Sequence, residues 1–121
     1  MSKVADVVQS FEGYTPRVVA DLKSFTWHIE FIREDVQGTY SEDDLDEAYQ
    51  LIQANNVAGD EFKQLIGENQ FNAQTLFFDD IIVFFLPSDR YMGVFASFDY
   101  DGEFPVKELV RRASEHRTGT G

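Results

Sequence analysis

The spacing of apolar residues along this chain changes period several times, and each change marks a predicted element. Val4, Val7, Val8 and Phe11 fall at i, i+3, i+4 and i+7, one stripe of a short helix that Gly13 ends. From Pro16 the period drops to two. Val18, Ala20 and Leu22 alternate with Val19, Asp21 and Lys23, and after a tight turn at Lys23-Ser24, Trp27, Ile29 and Phe31 alternate with Thr26, His28 and Glu30. Two such runs joined by a short polar break predict a β-hairpin. Ser41-Glu42-Asp43-Asp44 then reads as a helix start, a capping serine with an acid three residues on and an acidic first turn. Leu45, Ala48, Tyr49 and Ile52 continue one apolar face. Asn55-Asn56 and Gly59 are expected to break this helix, and Phe62, Leu65 and Ile66 predict a further short helical stretch ending at Gly67.

Beyond Asn72 the pattern returns to strands. Thr75 to Phe78 and Ile81 to Leu86 flank Asp79-Asp80. Pro87-Ser88-Asp89-Arg90 reads as a turn before a third strand, Tyr91 to Phe98. Both alternating sets of the Ile81–Leu86 strand are apolar, so that strand is expected to be covered on both faces. Pro105 opens a last helix, with Val106, Leu109, Val110 and Ala113 at helical spacing. The order α-β-β-α-β-β-β-α predicts an α+β domain over residues 1–116. It has one five-stranded, mainly antiparallel sheet, the middle helix on one face and the terminal helices on the other. Residues 117–121 are expected to form a flexible tail.

Charge changes the picture more than composition does. Twenty-two Asp and Glu against ten Lys and Arg leave a net charge of −12 on 121 residues. In dilute buffer such a charge opposes compaction, and molar salt, with a Debye length of about 3 Å, screens it. The chain therefore reads as a cytoplasmic protein of a salt-loving cell. Direct nucleic-acid binding is argued against, because the basic residues do not cluster. Arg111-Arg112, with Arg117 nearby, suits the negative end of the last helix. Cysteine is absent, which excludes disulfides and thiolate chemistry. No apolar run reaches the length of a signal peptide or a membrane span.

No catalytic, cofactor or metal motif emerges. Asp99-Tyr100-Asp101-Gly102-Glu103 has its glycine fourth, where a calcium loop needs it sixth, and Val110 stands at the twelfth position, so a strand-to-helix turn is expected. His28 and His116 are read as structural. The adjacent acids Glu34-Asp35 and Asp79-Asp80 are read as surface pairs. No serine elbow or glycine-rich phosphate loop is present. The element order is similar to that of the roadblock/longin group of profilin-like domains. Phe31-Ile32-Arg33-Glu34-Asp35-Val36 followed by Tyr40-Ser41-Glu42-Asp43 resembles a group of small uncharacterised haloarchaeal proteins. The resemblances imply a halophilic source and a non-enzymatic scaffold or regulatory module, roadblock-like, attached to a small GTPase or a larger assembly.

Thr75, Leu76, Phe77 and Phe78 are the candidate interface. This strand should lie at a sheet edge, where an apolar strand is a liability unless paired, and pairing across a two-fold axis would make a homodimer. The alternative is a small-molecule sensor of PAS- or GAF-like shape. Its cavity would lie among Phe71, Phe77, Phe78, Phe84, Phe85, Phe95 and Phe98, with His28, Tyr49 or Trp27 as the polar handle.

Overall fold

A computed structural model describes residues 3–89 and 91–116. Helix α1 spans Lys3–Gln9, strands β1 and β2 span Val18–Leu22 and Trp27–Ile32, and helix α2 spans Glu42–Ile66. Strands β3, β4 and β5 cover Gln74–Phe77, Ile81–Asp89 and Met92–Asp99, and helix α3 covers Val106–Glu115. The sheet order is β2-β1-β5-β4-β3 and every pairing is antiparallel. The α+β class and the element order are those the sequence predicts. Arg90, Arg117 and the expected C-terminal tail lie outside the described residues. No helix among the described residues is long and apolar enough to cross a membrane.

The period-2 pattern of the central strands sorts side chains to two cores. Ile82, Phe84 and Leu86 of β4 join Val94, Ala96 and Phe98 of β5 beneath α1 and α3, with Val8, Phe11, Leu109 and Ala113 closing over them. Phe84, Phe98 and Phe104 form an aromatic cluster with centroids 4.9–6.0 Å apart. On the other face a smaller core of Leu22, Ile52 and Phe85 is flanked by Trp27, Tyr49, Leu76, Val83 and Phe95 under α2.

Four local expectations require correction. α2 is a single 25-residue helix that runs through Asn55, Asn56 and Gly59. At Gly59 an added Cβ would stand 2.1 Å from the Phe71 ring, so the glycine admits that ring against the helix. Asn55 satisfies its amide locally by donating to the Leu51 carbonyl at 2.8 Å, and Asn56 is buried against the sheet side. Pro87-Ser88-Asp89 belongs to β4, where an irregularity between Pro87 and Asp89 absorbs the proline. The aromatic edge strand ends at Phe77, not Phe78. Finally, β1 and β2 slip register between Val19 and Ala20, which leaves Glu30 as the extra residue. Trp27 and Ile29 therefore face α2, Phe31 packs on the opposite core, and Ile32 returns to the α2 side.

Candidate functional site

Helix α2 begins as the sequence predicts. Ser41 Oγ accepts from the Asp44 N–H and the Asp44 carboxylate accepts from the Ser41 N–H, both at 3.0 Å. It ends at Gly67, whose φ of 78° and N–H to the Gln64 carbonyl close the last turn. Between its ends the helix is fastened to the hairpin tip. Tyr49 Oη donates to the Lys23 carbonyl at 3.2 Å, and the Gln53 amide donates to the carbonyls of Lys23 and Tyr91 at 3.0 and 2.9 Å. Tyr49 also packs 5.7 Å from Trp27.

Towards the opposite end of the sheet, the first turns of α2 stand off from the strands and leave an open groove of about 670 Å³. Its floor is Val18, Ile29, Ile32, Val83 and Phe95, with Ser97 among them. Trp27 and Phe78 form walls, and Tyr40, Asp44, Leu45, Glu47, Ala48 and Leu51 form the helix side. A mostly apolar cleft of this size with a few polar groups falls within the range of small-molecule sites. Of the proposed handles only Trp27 lines it. Tyr49 is spent on the hairpin tip, and His28 is exposed. Of the phenylalanines expected to line a cavity, Phe78 and Phe95 reach the groove. Phe84 and Phe98 lie in the other core, Phe85 lies beneath α2, and Phe71 lies against Gly59.

The candidate interface residues come together at one edge. β3 is the last strand of the sheet. The Phe78 N–H donates to the Ile81 carbonyl at 2.9 Å, and the ladder then pairs Leu76 with Val83 and Gln74 with Phe85. In an antiparallel ladder these positions turn their backbone groups inward to β4, so Thr75 and Phe77 turn theirs outward. Phe77 and Phe78 are 57% and 54% exposed, one on each face of the sheet. Phe77 meets Tyr100 edge-on at 5.5 Å, and Phe78 borders the groove.

Sequence reading missed what lies beside that edge. Ala48, Leu51, Asn55, Ala58, Phe62 and Leu65 follow the alternating three- and four-residue spacing of a helix-pairing seam. Leu51, Phe62, Leu65 and Ile66 are 58–82% exposed. Leu51 shares the groove with Phe78, and Ala58, Phe62 and Ile66 share a second depression with Ala73 and Gln74. The helix stripe and the β3 edge thus adjoin at these two depressions. The spacing was visible in the sequence, but the expected break at Asn55–Gly59 divided it.

At the far end of β2, Arg33 bridges Asp35 and Asp99, with Nη1 2.7 Å from the Asp99 carboxylate. Arg17 stands 3.7 Å from the same carboxylate. Hydrogen bonds from Arg33 hold the Asp35 carboxyl below its ordinary range, and the two acids raise the Arg33 guanidinium above its own. Asp99 is thereby engaged by two arginines, and Asp101 Oδ1 accepts from the Glu103 N–H within the turn. Arg111 and Arg112 pair with Glu108, and Arg111 also pairs with Glu115. The model of a family described as a domain of unknown function, DUF7522, matches residues 2–118. No curated protein and no solved structure matches the chain.

Proposed function

The chain belongs to the DUF7522 family, and we propose that it is a non-enzymatic interaction module that self-associates through β3 and α2 in the cytoplasm of a salt-adapted cell. One observation carries this reading. The outward backbone groups of Thr75 and Phe77 border an exposed apolar stripe on α2, on the same side of the molecule. An open strand invites another strand, and the same strand from a second copy satisfies it symmetrically. Four strand residues alone do not supply the roughly 800 Å² per partner of a stable interface, so the α2 stripe is the second half of the contact. The opposite edge, β2, suits pairing poorly. It carries the bulge at Glu30 and an exposed His28. Gln74 to Phe78 carries no charge at all. A paired module would leave the α1/α3 face free for a further protein partner, in keeping with a scaffold role.

Light scattering in molar potassium chloride tests the reading. A mass of twice 13.9 kDa is expected. Thr75→Pro removes an outward N–H without touching the β4 ladder, and it should give a monomer with an unchanged circular dichroism spectrum. A wild-type monomer, or a dimer indifferent to Thr75→Pro and to Phe62→Asp, would overturn it.

A further inference from the structure

We propose that the groove beneath the first turns of α2 binds a small organic cation, an ammonium group carried on an aromatic or aliphatic body. This site adjoins the self-association surface and shares Ala48, Leu51 and Phe78 with it.

The volume and the walls call for an apolar body. About 670 Å³ is enclosed chiefly by Val18, Ile29, Ile32, Leu45, Val83 and Phe95. Left to water, such a surface is unfavourable, and an apolar ligand body would take its place. Ser97, 3% exposed and on the α2 side of β5, places one hydroxyl-bearing residue in this otherwise apolar floor.

The sign of the ligand charge follows from the groups around the mouth. Arg17 is the groove's cation, but it is paired with Asp99. Among the described residues Glu47 has no ion-pair partner, and Asp44 spends one oxygen on the Ser41 N–H. The unneutralised charge at the mouth is therefore negative, on a molecule whose net charge is −12. That field attracts cations and repels carboxylates and phosphates. Trp27, Tyr40, Phe78 and Phe95 add ring faces suited to an ammonium group.

Trp27 is the chain's one tryptophan, so its indole N–H gives a single resonance located in the groove. The probes are phenylpropylammonium, phenylpropanol and phenylbutanoate, bodies of similar size with positive, zero and negative charge. They are titrated in the lowest salt at which the protein stays folded. The expected affinity order is ammonium, then alcohol, then carboxylate. Glu47→Lys, an exposed change, should weaken the ammonium by about fivefold and bring the carboxylate forward. Ala48→Phe fills the groove and should abolish all three shifts. Thr75→Pro should leave them intact, which separates this site from self-association. No Trp27 shift with any probe, equal affinity for the three, or an order unmoved by Glu47→Lys would overturn the proposal.

Discussion

Placing a methyl group at Gly59 should reverse the usual effect of replacing a helical glycine. In an open helix interior Gly→Ala gains about 1 kcal/mol, because alanine has less backbone freedom to lose. Here the new Cβ would fall 2.1 Å from Phe71 Cε2 and 2.3 Å from Cζ, far inside the 3.4 Å at which ordinary contact begins. The ring must leave its seat on α2. A fully buried Phe→Ala change costs about 3–5 kcal/mol, and half-buried Phe71 is worth about 2 kcal/mol on that scale. Losing that seat outweighs the helical gain, so Gly59→Ala should destabilise by about 1 kcal/mol. In a Phe71→Ala background the obstacle is gone, and the same substitution should stabilise by about 1 kcal/mol. The coupling is then about 2 kcal/mol, well above the error of a double-mutant cycle. Urea unfolding at fixed potassium chloride and fixed protein concentration measures all four proteins. A stabilising Gly59→Ala in the wild-type background, or the same sign in both backgrounds, would refute the reasoning.

Three further outcomes are expected. The melting temperature should rise steeply between dilute buffer and about 0.5 M potassium chloride as twelve net charges are screened, then more slowly with excluded salt; a flat profile to about 2 M would count against salt adaptation. Asp35 is stabilised by Arg33 in its charged form, so its contribution is present above the ordinary value of 3.8 and is lost as the pH falls through the depressed one. Arg33→Gln should therefore lower the melting temperature near neutrality and converge with wild type in acid, and a gap that persists at about pH 2 would show that the pair is not its source. Asn56 is 1% exposed beside a cavity of about 40 Å³, and among the described residues neither of its side-chain polar atoms has a hydrogen-bond partner. If the amide is dry, Asn56→Leu should stabilise by about 1 kcal/mol, whereas a loss on substitution would place a bonded water there.

The parts of the fold that the chain announces are those with local causes. Ser41 and Asp44 bond to each other three residues apart, so the start of α2 can be read from four letters. The doubly apolar run from Ile81 to Leu86 required cover on both faces, and both cores meet on β4. The features that escaped have distant causes. Gly59 looks like a helix breaker until Phe71, twelve positions on, is found against it. The Glu30 bulge leaves an alternation that reads equally well unbroken, yet it moves Phe31 and Ile32 to opposite faces. The edge position of β3 follows from the strand order the sequence predicts, but the strand runs Gln74–Phe77 and leaves Phe78 beyond its end. The groove holds only Phe78 and Phe95 of the phenylalanines expected to line a cavity, because it depends on how far α2 stands from the sheet. Propensity and period do not encode that distance.

The sheet order also governs when the molecule can become whole. β1 and β2 form a hairpin from neighbouring residues, and so do β3 with β4 and β4 with β5. The union of these two halves is the β1–β5 ladder, Val18 to Leu22 against Ser97 to Gly93. Its partners are roughly seventy or more positions apart, so that seam carries most of the loop-closure cost. Each half can take shape early, but the hairpin has no place to dock until β5 exists, late in synthesis. Until then β1 exposes an apolar edge in the middle of the future sheet. Substitutions that weaken the Val18–Leu22 ladder should slow folding and expose the nascent chain to aggregation, whereas those at the outer edge strand β3 should leave the folding rate almost unchanged.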